Sequence, residues 1–198
     1  MNLDSSIEQI LQLPISEERR ELLQVLIDFI QAKKMANEPI NLNFICTHNS
    51  RRSQFAQVWA TVAAHAFKIK ANCVSGGVEV TAFNERAVDS LKRFGFLIES
   101  KGNENPVFSV EYALNTEPLK MFSKLYDDEV NQIQPFAAVM TCDHADVNCP
   151  VIPGTEQRIS VNYSDPKVFD GTSVEAEKYD ERSSQIASEM FYIFSKIN

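Results

Sequence analysis

The segment Cys46-Thr47-His48-Asn49-Ser50-Arg51-Arg52-Ser53 sets a cysteine, five residues, an arginine and a serine in a row. The residues before it, Asn41 to Cys46, read as a short apolar strand. Those after it, Ser53 to Phe67, read as a helix with Phe55, Val58, Trp59, Val62 and Ala66 on one face. A loop so placed can wrap a tetrahedral oxyanion with its backbone N–H groups, and the following helix adds the positive end of its dipole. The same field favours thiolate over thiol at Cys46. Arg52 can grip two oxyanion oxygens as a planar fork and hold transition-state charge. Ser53 can donate a hydrogen bond to the sulfur and Asn49 can brace the loop, while Thr47 and Ser50 are small enough for tight curvature.

The chain that carries this loop has 198 residues and a formal net charge of −8, with 44% apolar and 23% charged residues. That is the balance of an ordinary globular protein long enough to bury a core. The negative balance argues against general nucleic-acid binding or attachment to anionic lipid, so anion capture must be local, through Arg51, Arg52 and the loop amides. No run approaches the length of a membrane span, and MNLDSSIEQI is no secretory signal, so a cytoplasmic protein is expected. Four cysteines, Cys46, Cys73, Cys142 and Cys149, are too few for a disulfide scaffold; a reducing compartment leaves them free for chemistry.

Positioning the loop requires the rest of the chain. Residues 1–38 read as a helical extension: Ser16 caps a segment that opens with Glu17 and Glu18 and closes with Lys33 and Lys34, with Leu22, Leu23, Leu26, Ile27 and Ile30 on one face. Across 39–198, strands alternate with helices. Ala71 to Ser75, Phe96 to Ile98, Phe136 to Cys142 and Arg158 to Val161 read as further strands. Asn84 to Phe94, stopped by Gly95, and a last segment from Val174 read as helices, the latter with Tyr179, Ile186, Met190 and Phe194 on one side. The pattern predicts a three-layer α/β domain: an open parallel sheet of about four or five strands with helices on both faces. Sites in such folds lie at the carboxyl ends of strands, where both Cys46 and Cys142 fall. The stretch Lys101 to Pro135 mixes turn residues with a helical pattern from Glu117 to Val130, and its length suggests a lid or insertion. Cys73, inside a strand, reads as a core residue. Cys142, His144 and Cys149 are compatible with inert thiols or with zinc, though no fourth ligand is evident.

CTHNSRRS resembles the active-site loop of the low-molecular-weight protein tyrosine phosphatases and of the thioredoxin-coupled arsenate reductases that share their fold. The resemblance spans about 41–195, and includes Ser75-Gly76-Gly77 after the second strand and the late pair Asp165-Pro166. It implies that Cys46 is the nucleophile, Arg52 the oxyanion clamp, Asp165 the general acid that protonates the leaving oxygen, and residues 47–53 the oxyanion cradle. His48 stands where the family usually has glycine, which implies a different backbone there. Gln57 replaces a glutamate tied to cation binding in the reductases, so no metal or other cofactor is carried over.

The stretch from Cys142 to Cys149 matches the separation of two further cysteines in the similar reductases. There the second thiol attacks the cysteine–arsenic adduct, the third resolves the disulfide, and thioredoxin or a similar dithiol reduces the final pair. The resemblance therefore implies arsenate reduction. Phosphomonoester hydrolysis is the alternative, weakened because Lys167 and Val168 follow Asp165-Pro166 where such phosphatases carry aromatic residues. A non-catalytic oxyanion-binding protein is the third reading.

Overall fold

The computed structural model describes residues 2–148 and 151–198. Cys149, the expected third thiol, lies outside the described residues. Helix α1 (Leu3–Ile10) is followed by α2 (Glu17–Met35), whose Ser16 side chain accepts from the Arg19 N–H, with Glu17, Glu18, Lys33 and Lys34 at the ends their charges favour. Leu23, Leu26 and Ile30 are fully buried and join the main core.

Then come β1 (Ile40–Cys46), α3 (Arg52–Ala66), β2 (Ala71–Gly77), α4 (Glu85–Arg93), β3 (Leu97–Lys101), β4 (Val107–Glu111), β5 (Leu119–Met121), β6 (Phe136–Met140), α5 (Asp143–Asn148), β7 (Thr155–Ser160) and α6 (Glu175–Ser195). Four strands form a parallel sheet in the order β2-β1-β6-β7. β1 is central and every residue in it is buried, as a strand covered on both faces must be. Its two polar side chains are held by donation: the Asn41 amide donates to the Pro135 carbonyl and Asn43 to that of Tyr126, while Asn43 Oδ1 has no hydrogen-bond partner among the described residues.

Side-chain alternation sends Leu42, Phe44, Ala137 and Val139 into the large core with α2, α3 and α6. Ile45, Phe136, Ala138 and Met140 point the other way, into a smaller cluster that also holds Cys46, Cys142 and Ala145. In the large core, Trp59 stacks edge-on against Phe94 and Phe96 and donates its indole N–H to Ser183 of α6. Gly95 follows α4 with a φ of 99°, the left-handed stop its position predicts.

Two expectations need correction. The strand after α4 does not join the parallel sheet. β3 pairs antiparallel with β4, and β4 with β5, in a separate three-stranded sheet. Four of its five residues are exposed, among them Glu99 and Lys101, so it cannot fill a position buried on both faces. Nor is there a helix from Glu117 to Val130. Pro118 biases the residue before it towards extended backbone, and the stretch forms β5, an irregular run and a single 3-10 turn at Glu129–Asn131. Residues 122–126 are hydrogen-bonded to the Cys46 loop and to the end of β2.

That close approach needs the paired glycines at the end of β2. A Cβ on Gly76 would overlap the Tyr126 backbone, and one on Gly77 would lie 2.8 Å from the Thr47 carbonyl oxygen. Gly76→Ala is expected to cost about 1–3 kcal/mol of stability. A urea melt should show this as a lower midpoint; an unchanged midpoint would mean that residues 125–126 yield freely.

Candidate active site

Cys46 ends β1, 3% exposed, and its Sγ lies 3.0 Å from the Ser53 Oγ in the first turn of α3. Asn49 holds the serine of that contact in place. Its side-chain N–H₂ donates to Ser53 Oγ at 2.8 Å and to Ser75 Oγ at 2.9 Å, and Ser75 in turn donates to Gln57 at 2.7 Å. With its oxygen accepting from Asn49, the Ser53 hydroxyl hydrogen is free to be donated to the sulfur when Cys46 is a thiolate. Asn49 has a φ of 45°, a conformation its short polar side chain tolerates. The unusual backbone is therefore at Asn49, and His48 has no positive φ.

Each carbonyl of the loop is held from outside. That of Thr47 accepts from the Val78 and Glu79 N–H groups, that of His48 from the Ser123 hydroxyl, that of Asn49 from Gln54, and that of Ser50 from the Asn84 N–H. Ser50 also donates its hydroxyl to the Ala82 carbonyl at 2.7 Å. Because peptide groups are planar and trans, the N–H groups of residues 48–51 face the opposite way, into the loop. That is the geometry of an anion nest at the start of a helix.

Arg52 reaches Asp165 at 2.7 Å and donates to the Tyr163 carbonyl at 3.1 Å. Its Nε is buried with no hydrogen-bond partner among the described residues, a donor left over for an oxyanion. Asp165 caps a 3-10 turn, Pro166–Phe169, by accepting from the Lys167 N–H. Arg51 donates to the Tyr179 hydroxyl at 2.9 Å and also stands near two carboxylates, Asp170 at 3.9 Å and Asp165 at 4.0 Å. His48 is half-buried and sits 3.1 Å from Glu79.

Cys142 lies just past the end of β6, beside β1, where Ile45 pairs with Met140. Thr47 connects the two cysteine-bearing strand ends. Its Oγ1 lies 3.5 Å from Cys142 Sγ and 3.3 Å from His144 Nδ1. Cys46 and Cys142 are buried in the same cluster, and the Ala145 N–H points at the Cys142 sulfur. α5, which starts one residue later, is anchored through Asp146 to Arg158, Ser160 and Asn162. Cys73 is remote from these groups: it packs against the main core, and burial pushes its thiol up to about 12. Among the described residues no cluster of three or more His, Cys, Asp or Glu is placed to hold a metal ion, and no helix is long and apolar enough to cross a membrane.

Lys124 has no signal in the sequence, where it falls inside the helix expected from Glu117 to Val130. Its backbone N–H donates to the Asn49 side chain and its carbonyl accepts from Gly77, so the residue lies against the loop. Lys124 is 2% exposed, its ammonium has no hydrogen-bond partner among the described residues, and it sits 4.8 Å from the Phe122 ring centroid. Burial pushes this ammonium down to about 8, with Asp128 acting weakly the other way. The folded state thus disfavours the proton that the unfolded chain keeps up to about 10.5. Below pH 8 both states are protonated and the penalty is constant, and it is relieved as pH rises from 8 to 10.5. Lys124→Met should raise stability at pH 7 by an amount on the order of 3 kcal/mol, the equivalent of that shift. It should also flatten the stability curve between pH 8 and 10.5, measurable by denaturant titration at each pH.

No protein-family model matches the chain. Its sequence relatives include arsenate reductase 2 of Staphylococcus epidermidis and the arsenate reductase of Staphylococcus aureus. Each is 27% identical over 124 residues, covering 62% of this chain and 76% of the relative. Among solved structures, a YwlE mutant from Bacillus subtilis aligns with a TM-score of 0.51 at 14% identity, over 79% of this chain and 97% of that one. The low-molecular-weight protein tyrosine phosphatase from T. tengcongensis aligns with a TM-score of 0.51 at 16% identity, over 80% and 99%. The chain is thus similar in sequence to arsenate reductases and shares its fold with low-molecular-weight protein tyrosine phosphatases.

Proposed function

We propose that the chain reduces arsenate to arsenite by a thiol relay. The observation that carries this reading is the second buried thiol, Cys142, joined through Thr47 to the loop that presents Cys46, in a chain whose sequence relatives are named arsenate reductases. Arsenate is held by the loop N–H groups and by Arg52. The Cys46 thiolate forms a bond to arsenic(V), and one oxygen leaves as water after Asp165 protonates it. Asp165 and Arg52 are paired in the structure, so Arg52 exchanges part of that contact for the oxyanion as substrate enters.

The Cys142 thiolate then attacks Cys46 Sγ. A sulfur–sulfur bond forms, the sulfur–arsenic bond breaks, and its electron pair passes to arsenic, which leaves as arsenite. Cys149 would resolve the Cys46–Cys142 disulfide and restore the Cys46 thiolate. An external dithiol, thioredoxin or a protein like it, then supplies two electrons to the Cys142–Cys149 pair. Such a cycle suits a reducing compartment such as the cytoplasm.

A second reading, phosphomonoester hydrolysis, uses the same Cys46, Arg52 and Asp165 without the later thiols. It is favoured by a cavity of about 420 Å³ beside the loop, lined by His48, Ser50, Arg51, Phe83, Arg86 and Lys167, which exceeds what a bare oxyanion fills. Arsenite release with thioredoxin and its reductase separates the readings. Cys46→Ser and Cys142→Ser should both abolish it, and Cys149→Ser should release arsenite for a single turnover only. Steady turnover in Cys142→Ser would overturn the relay. Rapid hydrolysis of an aryl phosphate that survives loss of both late cysteines would favour the phosphatase. Tight oxyanion binding with neither turnover would leave a binding protein.

A further inference from the structure

The loop that carries Asp165 is held from an unexpected direction, the N-terminal helix α2. Arg19, in its first turn, donates from Nε and from one terminal nitrogen to the two oxygens of Glu189 on α6, at 3.0 and 2.6 Å. Its other terminal nitrogen donates to the Asn162 carbonyl at 3.2 Å. Glu189 is 2% exposed, and it also accepts from the Tyr163 hydroxyl at 2.8 Å and from Gln185 at 3.0 Å. The Arg19 guanidinium lies 5.1 Å from the centroid of the Tyr163 ring. The Tyr163 carbonyl, at the other end of that residue, accepts from Arg52, which is paired with Asp165.

We propose that Arg19 is a positioning residue for the general acid: through Glu189, Tyr163 and the Asn162 carbonyl, α2 sets where Asp165 and Arg52 stand over the oxyanion loop. The need is physical. After β7, among the described residues, the backbone of this loop makes only two bonds to the sheet side, Val161 N–H to Met140 and Tyr163 N–H to Thr141. A general acid has to be held within hydrogen-bond reach of the leaving oxygen, and loops hold side chains less firmly than strands do. A bidentate arginine on a buried carboxylate supplies a directional hold, and it leaves neither charge uncompensated. A purely structural lock would explain why α2 docks. It would not require the contacts to end at Tyr163, whose carbonyl holds Arg52.

The inference rests on the Asp165 part of the proposed function, and a double-mutant cycle tests it. Arg19→Met keeps the apolar stem and removes the fork. In an otherwise intact chain it should lower kcat by about tenfold or more, with KM little changed, for whichever substrate is turned over. With aryl phosphates the loss should grow as the leaving group becomes a poorer one. In an Asp165→Asn background the same change should cost much less, because the acid is already gone and only the hold on Arg52 is left to lose. Arg19→Lys, which keeps charge without the fork, should recover part of the loss if Arg19→Met proves too unstable to assay. An equal loss in both backgrounds, or full activity in Arg19→Met, would overturn the proposal. If neither arsenate nor aryl phosphate is turned over, the functional reading falls, and amide exchange then tests Arg19 by itself. Faster exchange confined to residues 162–167 in Arg19→Met supports the hold, and unchanged exchange there overturns it.

Discussion

The chemistry of this protein depends on turning four carbonyls outward. Those of Thr47, His48, Asn49 and Ser50 are each held by a donor outside the loop, supplied by the end of β2, the run around Ser123, the first turn of α3 and the start of α4. Only then do the N–H groups face a common centre. In a chain of net charge −8 this matters more than any single side chain. Backbone dipoles and a helix N-terminus supply positive potential that the overall composition denies, and their orientation is fixed before an anion arrives.

Holding the loop this way has costs that remain visible. Asn49 takes a left-handed conformation, Gly76 and Gly77 let another segment pass at van der Waals distance, and a lysine is buried against the loop with no hydrogen-bond partner among the described residues. Arg52 keeps one buried donor without a hydrogen-bond partner among the described residues. Unpaired buried donors of this kind are rare away from function. Here two of them, on Arg52 and Lys124, occur on residues that touch the anion loop or its support.

The same sheet geometry buries the second thiol in one cluster with the first. β1 and β6 are parallel neighbours, so the backbone leaving Cys46 and the backbone leaving Met140 emerge on the same edge of the sheet. Thr47 spans the gap with one hydroxyl. Meanwhile α5 is fastened at Asp146 to residues on and just after β7, and one of these, Asn162, also meets Arg19. The two halves of the proposed cycle, acid catalysis and thiol transfer, are thereby tied to one stretch of chain, 158–165.

Much of this was legible in the residues alone. The Cys46 to Ser53 pattern between a strand and a helix, the capping of α2 by Ser16, the α4 stop at Gly95 and the places of the four parallel strands follow from local rules: spacing, capping and burial period. Those rules failed between 96 and 135. There a polar strand left the main sheet, and a helical pattern was overridden by Pro118 and by contacts with the loop. Lys124 could not be found because its burial comes from the residues packed over it, which are remote in sequence. The hold of Arg19 on Glu189 links positions 170 residues apart, and the pairing of Arg52 with Asp165 links positions 113 apart. The sequence determined which groups could do chemistry, since the proposed nucleophile, the proposed clamp and the helix start are neighbours along the chain. Which groups support them was decided only by tertiary packing, because a buried charge acquires its partner, or lacks one, only when distant segments meet.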